Sequence, residues 1–232
     1  MIAPERFLRI QKMLASRQPD LTVVMDNVNK PHNLSAIIRS CDAVGIHDLY
    51  AVSSKKSIHT TQNAAAGAGH WTNLHLCKDI GALCRKLGME GMQVLAATNT
   101  EESRDFRTID FTLPTAIVLG AEWEGVSAEA IQAADMAITI PMYGMVESLN
   151  VSVAAALILF EAERQRSLKG MYRTRRLEES LYRKLLFELS YPRLSRQLRE
   201  KGGAYPELDE DGGIVLEEME QENRPSPSAS SI

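Results

Sequence analysis

Three stretches place polar side chains where the surrounding pattern demands core. The first is Asn33-Leu34-Ser35-Ala36-Ile37-Ile38-Arg39, in which a guanidinium sits among Leu34, Ile37, Ile38 and Cys41. An Arg in such a stripe needs an anionic partner or an interface. A plainer reading pairs it with Asp42 or a surface Glu, with Asn33 as a helix N-cap. The second is Gly120-Ala121-Glu122-Trp123-Glu124-Gly125, two glycines bracketing two carboxylates directly after an apolar run. Such a loop suits close approach to a ligand, since open α/β sheets bind at the carboxyl ends of their strands. The third is Glu147-Ser148-Leu149-Asn150-Val151-Ser152, where Ser148 and Asn150 fall at the entry of a long apolar segment. One of them can cap a helix; capping does not easily absorb both.

These groups orient and stabilise. The chain has no GxGxxG or Walker A pattern, so a Rossmann or P-loop nucleotide site lacks support. His32, His59, His70 and His75 show no metal-ligand spacing, and Cys41, Cys77 and Cys84 form no CxxC pair. The Glu122/Glu124 pair is too close in sequence to argue glycoside chemistry.

The elements around these stretches alternate. Apolar strands are expected at Leu21–Met25, Asp48–Val52, Thr72–Cys77, Gln93–Ala97, Thr115–Leu119 and Met136–Ile140. Helices are expected over residues 4–17, from Pro31 to Val44 with Gly45 as its stop, and at Lys78–Leu87, Ser127–Ala133 and Leu149–Arg166. Ala64-Ala65-Ala66-Gly67-Ala68-Gly69 reads as a small-residue helical turn. Alternation with strands apolar on both faces means a mostly parallel sheet with helices on both sides. Two further helices, Leu177–Leu189 and Tyr191–Lys201, are too small for a core of their own. The chain thus divides into an N-terminal helical arm at 1–20, an α/β domain at 21–167, a helical extension at 168–212 and an acidic tail from 213, whose last dozen residues read as disordered.

Charge is unevenly spread: net +2 over residues 1–20, −5 over 21–160, +6 over 161–201 and −7 over 202–232. Basic ends flanking an acidic middle suit arms that meet a polyanion and a core that does chemistry. The start lacks an apolar signal core and no run approaches the roughly 20 apolar residues of a membrane span, which gives an expected place in the cytoplasm and no membrane partner.

Together the three stretches, extended by Leu119 and by Ile140-Pro141-Met142 through Val153-Ala154, resemble the three motifs of the SpoU/TrmH family of SPOUT RNA ribose 2'-O-methyltransferases. Their order, spacing and strand–helix contexts make the set specific over about residues 20–166. The flanks, Arg6 with Gln18 to Val23, Gly170-Met171-Tyr172 and Leu186-Phe187-Glu188 with Tyr191-Pro192, resemble the tRNA-modifying branch, which methylates guanosine 18 of the D-loop. The resemblance implies a SPOUT fold with a deep trefoil knot after Ile140, a homodimer, S-adenosylmethionine as methyl donor and no required metal. It implies a catalytic set of Arg39, Asn33, Glu122, Ser148 and Asn150, with Arg39 donated across the dimer. It implies that Ala97, Thr98, Leu119, Gly120, Ile140, Met142 and Leu149 hold the cofactor. The basic ends that would meet tRNA are Arg6, Arg9, Arg164, Arg166, Arg173, Arg175 and Arg176. An Arg, with a pKa above about 12, is a poor base at neutral pH, which favours stabilisation of a developing alkoxide or clamping of a phosphate. The competing readings are a ribose methyltransferase of ribosomal RNA or of another tRNA nucleotide, and a catalytically idle knotted RNA-binding protein. The short segment before the first strand and the basic C-terminal extension favour tRNA.

Overall fold

The computed structural model describes residues 2–53 and 70–215. The small-residue turn expected at 64–69, His59 and most of the acidic tail lie outside the described residues. Those described fall into two compact units, Arg17–Arg176 and a second made of the N-terminal segment with the chain from Leu177.

The larger unit is the expected α/β layer structure. Seven strands, β1 (Leu21–Asp26), β2 (Asp48–Val52), β3 (Asn73–Cys77), β4 (Gln93–Ala97), β5 (Arg104–Asp105), β6 (Thr115–Leu119) and β7 (Met136–Thr139), form one sheet in the order β3-β2-β1-β6-β4-β7-β5. Every pairing is parallel. β1 and β6 are buried at every position, as central parallel strands must be. Alternate residues feed two cores. Val23, Met25, Leu95, Ile117 and Ile138 meet α2 (Pro31–Ala43) and α5 (Val151–Leu168) on one face. Val24, Val94, Ala96, Ala116 and Val118 meet α3 (Ile80–Met89) and α4 (Ala128–Ala133) on the other.

Helix boundaries have local causes. Asp79 caps α3 by accepting from the Ala82 N–H at 2.7 Å, and Ser127 caps α4 through Ala130. Gly45, at φ +85°, ends α2 in the left-handed conformation. Asn33 is not the cap expected of it: Pro31 opens α2, Lys30 is the N-cap, and Asn33 lies in the first turn. β5 and the 3-10 turn Phe106–Thr108 carry no apolar run long enough to announce them.

The second unit joins both ends of the chain. α1 (Pro4–Ala15) turns Phe7, Ile10 and Leu14 inward and packs on α6 (Glu179–Ser190), which in turn meets α7 (Pro192–Lys201). Phe187 stacks on Tyr205 at 4.8 Å, and Tyr191 Oη donates to the Gly212 carbonyl at 2.6 Å. The arm as far as Ser16 and the extension from Leu177, separate in the sequence, are one helical unit here, whereas residues 17–20 and 168–176 belong to the larger unit. Among the described residues no helix is long and apolar enough to cross a membrane.

Arg166 is the main correction to the basic ends. It is 0% exposed. Its guanidinium donates to the carbonyls of Phe111, Leu113 and Asp20 and to the Asp20 carboxylate at 2.7 Å. Arg176 holds the same carboxylate at 2.7 and 2.8 Å. Both arginines are committed to Asp20, and Arg166, buried on α5, is closed to RNA. Burial alone would raise the Asp20 pKa, but the hydrogen bonds and charges of Arg176 and Arg166 outweigh it and lower the value. A lowered native value means stabilisation that is complete above the ordinary carboxylate pKa of about 3.9 and is lost as pH falls through the native one. Arg166→Met should cost about 1–3 kcal/mol or more in urea unfolding at pH 7, because it leaves the carbonyls of Phe111 and Leu113 without their donor while Arg176 keeps the Asp20 carboxylate. Asp20→Asn should flatten the acid limb of stability below about pH 4; an unchanged limb would remove Asp20 from that role.

Candidate functional site

At the carboxyl ends of β4, β6 and β7 the sheet opens into a pocket of about 350 Å³. The register sets this up, because Ala97, Leu119 and Ile138 lie level across the three strands. The volume falls at the low end of small-molecule sites, roughly 300–1,000 Å³. Its walls are the loops after those strands and the first turns of α5, and Ala97, Thr98, Leu119, Gly120, Ile140, Met142 and Leu149 all line it. The lining mixes apolar side chains with loop backbone, which suits a ligand having a flat apolar body and polar edges.

One wall is the turn after β6. Ala121 and Gly125 exchange backbone hydrogen bonds at 3.0 and 2.9 Å, so Glu122, Trp123 and Glu124 form a tight tip. A Cβ on Gly120 would stand 2.0 Å from the Gly125 carbonyl carbon, so only glycine permits this closure. Gly125 itself has φ +68°. Behind the turn, buried Asp26 accepts from the Ser127 N–H at 2.8 Å and fixes the start of α4.

Glu122 joins the three stretches. Its Oε1 accepts from Asn33 Nδ2 at 2.7 Å and from Asn150 Nδ2 at 2.9 Å, and its Oε2 pairs with Lys30. Asn150 Nδ2 also donates to Asn33 Oδ1 at 3.2 Å. Asn150 Oδ1 meanwhile caps α5 by accepting from the Ser152 N–H at 2.9 Å and its hydroxyl at 2.6 Å. One amide thus both caps a helix and holds the Glu122 turn. Ser148 lines the pocket beside Glu122, Glu124 and Glu147, and among the described residues its hydroxyl makes no side-chain hydrogen bond.

Arg39 is not buried in the apolar stripe of α2. It is on the exposed side of the helix and, among the described residues, its guanidinium has no ion pair. Asp42 pairs instead with the buried Arg17, at 2.8 Å. Glu122 and Ser148 line the pocket, Asn33 and Asn150 join it through their hydrogen bonds to Glu122, and Arg39 does neither and faces outward. Arg6, Arg9, Arg173 and Arg175 are exposed, and Arg164 is exposed but held by Glu161. Lys30 and Asp26 were not singled out from the sequence. Asp26 had a signal, a carboxylate closing a wholly apolar strand; Lys30 looked like any surface lysine.

The sequence matches the model of the SpoU rRNA methylase family over residues 20–160, and that of the SpoU rRNA methylase C-terminal region over 164–217. The chain belongs to the SpoU methylase family. It is 48% identical to the tRNA (guanosine(18)-2'-O)-methyltransferase of Escherichia coli, over 91% of this chain and 93% of the relative. It is 51% identical to the enzyme of that name from Thermus thermophilus, over 77% and 92%. The fold matches the crystal structure of the TrmH/SpoU tRNA-modifying enzyme of Aquifex aeolicus with TM-score 0.77 and 41% identity, covering 81% of this chain and 96% of that one. It also matches the SpoU methyltransferase AviRb of Streptomyces viridochromogenes, solved with the cofactor AdoMet, with TM-score 0.57 and 28% identity, covering 66% and 59%.

If Gly120 is required for the turn, Gly120→Ala should raise amide exchange at Ala121 and Gly125 by about tenfold or more as the pair opens. Native exchange rates in that variant would show that the close approach is dispensable.

Proposed function

We propose that the protein transfers a methyl group from S-adenosylmethionine to the ribose 2'-hydroxyl of guanosine 18 in tRNA. The observation that carries this is the run of relatives of that name, 48–51% identical over more than nine-tenths of their own lengths. The pocket supports it, since all seven residues expected to hold the cofactor line one cavity of suitable size. When bound, S-adenosylmethionine supplies a methyl group activated by its sulfonium. Ala97, Leu119, Ile140 and Leu149 would pack the adenine, and the loop backbone at Thr98, Gly120 and Met142 would meet its polar edges.

The transfer is an in-line displacement. The carbon–sulfur bond breaks as the carbon–oxygen bond forms, and the hydroxyl proton passes to solvent or a nearby phosphate. Positioning is most of the work. Asn33, Glu122 and Asn150 hold the pocket wall, and Ser148 offers a free hydroxyl toward the ribose. Arg39 stabilises the developing alkoxide, a role that suits a group that does not give up its proton.

Arg39 would reach a pocket across a homodimer, in keeping with its outward position. α5 offers an interface: Val153, Leu157 and Phe160 are 47%, 44% and 51% exposed and follow helical spacing along one side. The same reading keeps the trefoil knot after Ile140 and the cytoplasmic setting, and gives tRNA phosphates to Arg6 and Arg9 of the helical unit and to Arg173 and Arg175.

Incubated with labelled cofactor and either tRNA or ribosomal RNA, the protein should leave 2'-O-methylguanosine at position 18 of tRNA when the products are mapped by mass spectrometry. Label in ribosomal RNA alone would overturn the reading. Arg39→Ala should lower the turnover rate by about 100- to 1,000-fold with cofactor affinity nearly unchanged; near-normal turnover would remove Arg39 from the chemistry.

A further inference from the structure

Three carboxylates, Glu122, Glu124 and Glu147, line the pocket. RNA arrives as a polyanion, and unscreened carboxylates at its entry repel it. Among the described residues one of the three carries a cation, Glu122 with Lys30. The lysine is placed by the helix that places Asn33: its carbonyl accepts from the N–H groups of Asn33 at 3.0 Å and Leu34 at 3.1 Å, closing the first turn of α2. The two oxygens of Glu122 are used differently. Oε1 takes both amides, from an Asn33 only 1% exposed and from Asn150, whereas Oε2 takes the ammonium of Lys30, which is 48% exposed. The network thus has an inner side of neutral donors and an outer side closed by one positive charge.

We propose that Lys30 is a positioning residue for methyl transfer, holding Glu122 in register with Asn33 and Asn150 and cancelling its charge where RNA enters. This rests on the reading that the pocket admits an RNA ribose. As a contribution to stability a half-exposed Lys–Glu pair is worth only about 0–1 kcal/mol, so the effect belongs in kinetics. Without the ammonium, Oε2 has no donor among the described residues, the carboxylate is free to turn away from the two amides, and its charge faces the incoming backbone. An arginine at the same place restores charge and donors.

The experiment measures kcat and KM for tRNA, the Kd for S-adenosylmethionine and the thermal midpoint in wild type, Lys30→Met, Lys30→Arg, Glu122→Gln and the Lys30→Met/Glu122→Gln double variant. Lys30→Met should lower kcat/KM for tRNA by about tenfold or more, mostly in KM, with the midpoint unmoved, and Lys30→Arg should recover to within about threefold of wild type. Because the lysine acts on the charge of Glu122, the loss on Lys30→Met should be several-fold smaller in the Glu122→Gln background. The proposal is overturned if Lys30→Met stays within about twofold of wild type on tRNA, or if its loss is equal in both backgrounds. A wild type that methylates tRNA beside an unaffected Lys30→Met removes the role of Lys30 alone; a wild type that transfers no methyl group to tRNA overturns both readings.

Discussion

The site depends on one carboxylate. Glu122 stands on a turn that follows β6, yet its donors come from α2 and α5, elements far from it and from each other in sequence. A partly buried carboxylate must be satisfied by donors or leave the interior. Satisfying it draws the first turn of α2, the turn after β6 and the first turn of α5 to one point. The remaining geometry serves that convergence. The parallel sheet brings strand ends level, α2 and α5 share one face of it, and Gly120 lets the turn fold flat enough to present Glu122 inward.

A second ionic group sets the frame. Arg166, near the end of α5, is buried on Asp20 and on the carbonyls of Phe111 and Leu113, at the opposite end of the helix from Asn150. α5 is thus held at both ends by polar contacts and along its length by apolar ones. Such fixing suits a reaction whose demand is alignment of donor, methyl group and acceptor rather than a strong acid or base.

Much of this was legible in the sequence because burial writes itself as apolar runs. The main strands, the α/β order, the helix stop at Gly45 and the helix start at Ser127 follow from local rules, and the three polar stretches marked the site because polarity there conflicts with burial. The misreadings concern side-chain direction. Arg39 sits near the apolar stripe of α2 in sequence but points away from it, and Asp42, its apparent partner, belongs to Arg17. Asn33 looked like a cap because Asn favours that position, but Lys30 is the N-cap and Asn33 lies inside the first turn. Arg166 looked like one more solvated arginine of a basic tract; only the return of Asp20 from β1's entry makes it core. Asn150 could not be assigned to capping or to the site from sequence, since one amide does both through different atoms. The union of α1 with α6 and α7 was also invisible, because packing between chain ends leaves no local pattern.

The Glu122 junction is proposed to build the cofactor pocket, and calorimetric titration of S-adenosylmethionine into wild type and Glu122→Ala tests that proposal most directly. Removing a charged acceptor shared by the buried Asn33 amide and the Asn150 amide should cost about 1.5–3 kcal/mol, which weakens cofactor binding by roughly tenfold or more while the sheet stays folded by circular dichroism. A Glu122→Ala variant that binds S-adenosylmethionine as tightly as wild type would contradict it.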